Sequence, residues 1–106
     1  MRQDIKWRKT VNWLRKAFPT KKPVKTRRLT GIKRAKDYRG VCWLEQNKYF
    51  VIHVNRSCSF ATQVDILLHE WAHALTWFGS DNDDHGDEWA LAQGRIYRAF
   101  LEWRYG

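Results

Sequence analysis

Cysteine is scarce in this sequence: Cys42 and Cys58 are the two among 106 residues. They form no CxxC pair, and two thiols cannot build a four-cysteine zinc ribbon. Two unpaired thiols fit a reducing compartment. No apolar run approaches the roughly 18 residues that a membrane helix needs. The N-terminus, "MRQDIKWRKTVNW", has no apolar signal-peptide core and no cleavage signal. A cytoplasmic protein is the expectation. Internal repeats and low-complexity tracts are missing as well.

Acidic residues are nearly missing from the first third. Residues 1–36 hold fourteen of the twenty Lys and Arg and a single acid, Asp4, for a net charge of +13. Residues 37–106 carry a net −4, so the overall +9 is strongly polarised. Such a bias points to one electropositive region and a polyanionic partner, DNA or another nucleic acid. The candidate contacts are Lys21, Lys22, Lys25, Arg27, Arg28, Lys33 and Arg34. Core material is plentiful: 43% of the chain is apolar, and seven residues are tryptophan. That excludes general disorder, and the length suits one domain over residues 1–106.

Periodicity supplies the elements. Trp7, Val11, Leu14 and Phe18 fall on one face of a helix that starts with Asp4 as its cap and ends before Pro19. Residues 1–22 then read as a basic helix and linker, and residues 24–103 as the core. A strand is expected from about Val24 to Gly31. "GVCWLE" and "YFVIHVN" flank the turn "QNK" as a hairpin. In the last strand Phe50, Ile52 and Val54 face one side, and Tyr49, Val51, His53 and Asn55 the other. The expected sheet has three antiparallel strands. A second helix is expected from Thr62 to Phe78, with Thr62 as cap, Asp65 three residues on, and Gly79 as stop. A third runs from near His85 to near Arg104, with Trp89, Ala92, Ile96, Phe100 and Trp103 on its apolar face. The class is α+β. Trp7, Trp89 and Trp103 are expected in the core. Trp13, Trp43, Trp71 and Trp77 are less clearly placed, and one or two of them could stack on bases beside the basic residues.

The chemistry-bearing stretch is "LLHEWAHALTWF", residues 67–78. On a helix His69 and His73 lie one turn apart and point the same way, so two imidazoles can grip one Zn²⁺. Glu70 is turned about 100° from His69, beside the metal, where it can act as general base on a water. Apolar flanks argue against a solvated helix, because buried ionisable groups need partners. A catalytic zinc normally takes three protein ligands. The metzincin spacing would place the third histidine at position 79, which is Gly79. His85, in "DDHGDEW", is the favoured third ligand. Glu88 is its main rival, and Asp84 and Asp87 are weaker ones. "DNDDHG" begins like a calcium loop, but its fifth place is His85 and its twelfth is Ala92 in place of the bidentate glutamate.

"HEWAHAL" followed by "HGDEW" resembles the SprT-like zinc metallopeptidases. In that family HExxH is followed by a variable loop, then by His-Gly and an aromatic residue three places after the glycine. His69, Glu70 and His73 match the first part, and His85, Gly86 and Trp89 the second. The resemblance spans residues 24–103. It implies a zincin-like minimal metallopeptidase: N-terminal helix, small antiparallel sheet, HExxH helix and C-terminal helix, without the zinc ribbon of larger relatives. It also implies a zinc metalloendopeptidase with Glu70 as base, acting on a protein or peptide substrate, DNA-associated proteins among them. Residues 49–55 are expected to border the cleft and to offer a free edge to an extended substrate. His53 or Tyr49 is a candidate to stabilise the oxyanion, and Asp65 to support a ligand imidazole. The competing reading is a basic nucleic-acid-binding module whose zinc is structural. It would need a fourth ligand such as Asp84 or Cys58, and it leaves Glu70 without a role.

Overall fold

In the computed structural model, residues 2–30, 39–77 and 86–106 are described. The order is α1 (Arg2–Ala17), β1 (Val24–Leu29), β2 (Gly40–Glu45), β3 (Tyr49–Asn55), α2 (Phe60–Leu75) and α3 (Asp87–Tyr105). This is the α+β class that the periodicity predicts. No helix among the described residues is long and apolar enough to cross a membrane.

The three strands lie in the order β1-β3-β2, so the last strand in sequence is the central one. β2 and β3 form the expected hairpin, with Gly40 opposite Val54 and Glu45 opposite Tyr49. Its turn puts Gln46 and Asn47 at φ 51° and 57°, and the Lys48 N–H donates to the Glu45 carbonyl at 2.8 Å. Successive left-handed residues give a turn whose twist matches that of the strands. β1 pairs with β3 in parallel, from Val24 opposite Phe50 to Leu29 opposite Asn55. The sheet is therefore mixed, which corrects the antiparallel expectation. The physical reason is that period-2 alternation marks a strand's faces but carries no direction. A hairpin turn fixes direction locally, whereas β1 and β3 are brought together by tertiary packing alone.

Alternation assigns the two faces of the sheet. Val24 on β1 and Phe50, Ile52 and Val54 on β3 are buried against the helices. The core continues into α2 through Leu67, Leu68, Trp71 and Ala72, and into α3 through Ile96, all 0% exposed. α1 adds Trp7, Val11 and Leu14, as its spacing predicts. Asp4 is not its cap: it lies in the first turn, where its carboxylate pairs with Arg28 and reaches Arg56 at 3.7 Å. The Arg28 side chain is only 7% exposed, and its guanidinium lies 5.2 Å from the centre of the Trp7 ring. A buried arginine needs such a counter-ion, so α1 is fastened to β1 by charge as well as by apolar contact.

The N-cap of α2 lies three residues earlier than expected. Ser59 is the cap and accepts from the Thr62 N–H at 3.2 Å, and the helix begins at Phe60. Asp65 is exposed and takes no part in the cap. The helix ends at Leu75 with Thr76 as its cap, ahead of Gly79, which lies outside the described residues. On α3, Trp103 is 41% exposed rather than buried, and it stacks on Trp13 at 5.0 Å and 11°.

Candidate metal centre

α2 is apolar on most of its circumference, and that forces its polar residues into a confined space. Glu70 and His73 are 8% and 9% exposed, whereas the His69 side chain is 36% exposed. One ligand atom from each of His69, Glu70 and His73 falls within 4.8 Å of the others. The two imidazoles are 5.0 Å apart between ring centres, and His69 Nε2 lies 4.0 Å from Glu70 Oε2. Two nitrogen donors and one carboxylate converging on a buried helix form a donor set that could hold a metal ion, and its chemistry is compatible with Zn²⁺. The fit rests on the donors themselves: their spacing leaves room for one ion, and their burial gives them reason to hold one.

Burial pushes the Glu70 carboxyl up to about 7. A carboxyl with that affinity for protons is suited to general-base work near neutral pH. The shift also links folding to pH. Without metal, the folded chain keeps a proton on Glu70 that the unfolded chain releases near 4.5. The Glu70 contribution is thus fully present below about 4.5 and is lost as pH rises through about 7. The span is worth on the order of 3 kcal/mol. Urea unfolding of metal-free protein at pH 5 and pH 8 should show Glu70→Gln gaining on wild type by up to about that amount at the higher pH. A constant difference between the two proteins at both pH values would contradict the burial of an ionisable carboxyl.

Three further neighbours shape the centre. Trp89, expected in the core and matched to the second family motif, reaches over from α3. Its ring is 4.8 Å from that of His69 and 5.4 Å from that of His73, and its Nε1–H points at the His69 carbonyl at 3.4 Å. It walls the site and restrains both imidazoles. The signal for this was its place in "HGDEW". Gly40 opens β2 against α2: a Cβ there would lie 2.3 Å from Ile66 Cγ2 and 3.5 Å from Glu70 Cγ. Only glycine lets the strand approach so closely. Cys42, two residues on, has its thiol pushed up to about 12, first by burial and then by the Glu70 carboxylate. No sequence pattern pairs Cys42 with Glu70; the register of β2 over α2 does.

The remaining candidates sort by position. His85, the expected third ligand, and Asp84 lie outside the described residues, as do Lys33 and Arg34. Glu88 lines a groove of about 460 Å³ with Phe18, Leu75, Leu91 and Arg95, and it is not part of the cluster of His69, Glu70 and His73. Asp87 opens α3 as an exposed first-turn acid. Cys58 is a free thiol outside that cluster, so among the described residues the structural-zinc reading gains no cysteine ligand. His53 and Tyr49 lie on the face of β3 turned away from the helices, against Trp43 and Lys25 respectively. Neither reaches an oxyanion at Glu70. β3 is paired on both sides, so it offers no free edge, and among the described residues the outer strands of the sheet are β1 and β2. Lys21, Lys25 and Arg27 are exposed and Lys22 is half-buried, its ammonium donating to Asn47 Oδ1 at 2.8 Å. Arg28 is turned inward to Asp4.

The family model of the SprT-like family matches residues 7–103. No curated protein and no solved structure matches the chain.

Proposed function

The chain belongs to the SprT-like family, and from that premise we propose that it is a zinc metalloendopeptidase with a zincin-like core. The observation that carries the reading is the convergence of His69, Glu70 and His73 at one point of a buried helix. His69 and His73 would hold Zn²⁺, with His85 as third ligand. The metal supplies a Lewis acid that polarises a peptide carbonyl and acidifies a water. Glu70 takes the proton of that water and returns it to the departing amine. Its burial raises its proton affinity in the metal-free chain, and a cation beside it acts in the opposite direction. Trp89 restrains both imidazoles and keeps bulk water from one side of them. β2, an outer strand among the described residues whose start lies against Ile66 and Glu70, is the strand best sited to pair with an extended substrate.

The partner that goes with this reading is a nucleic acid bound by the basic third, so that proteins associated with DNA become the substrates. Exposed Lys21, Lys25 and Arg27 support it. A cytoplasmic setting goes with it as well, since Cys42 and Cys58 are free.

The ligand set is tested by zinc content. Purified wild type should carry close to one zinc per chain by elemental analysis. In His73→Ala and His85→Ala, zinc affinity should fall by more than the roughly 10- to 100-fold that loss of a supporting contact costs. Unchanged zinc in His85→Ala would remove that residue from the set. A folded wild type that takes up no zinc when supplied with it would end the peptidase reading.

A further inference from the structure

α2 packs on one face of the sheet and shares its core with α1 and α3, and among the described residues no helix covers the other face. Register defines what that face presents. Lys25 and Trp43 flank Val51 on either side, and Arg27 lies opposite His53. Tyr49 is one step along β3 on the same side. Cations therefore line the β1 edge, and flat rings occupy the middle and the β2 edge, roughly 10 Å across at the usual strand spacing. Lys25 and Arg27 are exposed, whereas Trp43 and Tyr49 are half-buried. The Lys25 ammonium sits 4.1 Å from the centre of the Tyr49 ring, and Trp43 meets the His53 ring edge-to-face at 4.8 Å. The one acid among the strand residues of this face is Glu45, whose carboxylate accepts from the Trp43 Nε1–H at 3.2 Å.

We infer that this outer sheet face is a binding platform for single-stranded nucleic acid, with phosphates along Lys25 and Arg27 and bases laid over Tyr49 and Trp43. The inference deepens the nucleic-acid partner proposed above and does not depend on the metal centre, which lies on the other side of the sheet. The chemistry selects the ligand. Cations alone would take any polyanion, but rings beside a row of cations reward a partner that carries flat bases at intervals along its charged backbone. A duplex keeps its base faces inside the stack and is read through its grooves, which a flat sheet face does not enter. An acidic peptide offers charge and nothing to stack.

The experiment uses the full chain loaded with zinc, in the Glu70→Gln background so that proteolysis plays no part. Fluorescence anisotropy follows a labelled fifteen-nucleotide oligothymidylate, with a duplex of the same length and polyglutamate as competitors. The single strand should bind at least tenfold more tightly than the duplex, and polyglutamate should compete poorly. Trp43→Ala should weaken binding by about 5- to 160-fold, the range found for one stacked base. Lys25→Gln/Arg27→Gln, at exposed positions where folding is not at stake, should flatten the slope of log affinity against log salt by about 1.4, which is two phosphate contacts. Lys9→Gln/Lys16→Gln, equal in charge but exposed on α1, should leave the affinity within about twofold of wild type. The platform is overturned by no binding to wild type, by equal affinity for duplex, or by equal competition from polyglutamate. Equal losses from the two charge pairs would overturn it too, since they would mean a diffuse charge effect. Circular dichroism identifies a misfolded Trp43→Ala, in which case the charge pairs alone decide.

Discussion

Replacing Glu70 by glutamine should lower kcat for peptide cleavage by about 10²- to 10⁴-fold while leaving zinc in place. The magnitude is that of general acid–base catalysis by one positioned group. Glutamine keeps the size and shape of the side chain but cannot take a proton from water. Two of the three donor-bearing residues, His69 and His73, are untouched by the change, so the ion has reason to stay. The site is also spared disruption, because an amide is easier to bury than a carboxylate that must ionise. The measurement pairs turnover of a quenched fluorescent peptide library with zinc analysis of the same preparations. Activity within tenfold of wild type would exclude Glu70 as the base. Loss of activity together with loss of zinc would make it a ligand instead. A zinc-loaded wild type with no cleavage of any peptide would favour the basic module with a structural metal.

The largest effect on stability is expected at Trp71. It is 0% exposed, and its Nε1–H donates to the Phe18 carbonyl at 2.9 Å. On α2 it points away from the histidines, towards the C-terminal end of α1, so it ties the metal-bearing helix to the N-terminal one. Trp71→Ala leaves a large cavity and an unpaired carbonyl at Phe18. The cost should be about 3–5 kcal/mol, a large share of the roughly 5–15 kcal/mol that holds a domain together. Trp71→Phe keeps most of the volume and loses the hydrogen bond, so it should cost less, about 1–3 kcal/mol. Urea unfolding of the metal-free proteins reads both. A cost under about 1 kcal/mol for the alanine variant would mean that α1 and α2 are not joined through this ring.

His69, Glu70, His73 and Trp89 show how unevenly the centre was legible. The first three could be read because they sit within one turn of one helix, where spacing alone fixes their geometry. Trp89 comes from another helix, and its place over the imidazoles follows from the packing of α3 on α2. Cys42 and Gly40 were unreadable for the same reason, since their nearness to Glu70 depends on where β2 lands. His53 and Tyr49 illustrate the converse error. Alternation put them on the side of β3 opposite Phe50, Ile52 and Val54, but it could not say that the helices cover the other side.

By itself, then, the sequence determined whatever depends on near neighbours. Those features are the faces of α1, α2 and α3, the hairpin of β2 and β3, the alternation along β3, the one-turn spacing of His69 and His73, and the polarised charge. Each is a matter of residues within a few positions of one another, where backbone geometry leaves little freedom. Tertiary structure alone decided that β1 runs parallel to β3, that β3 lies at the centre of the sheet, that Arg28 turns inward to Asp4, and that β2 and Trp89 border Glu70. Those outcomes join residues far apart in the chain. They are selected by burial and by the pairing of buried charge, which act on the assembled surfaces rather than on any local pattern.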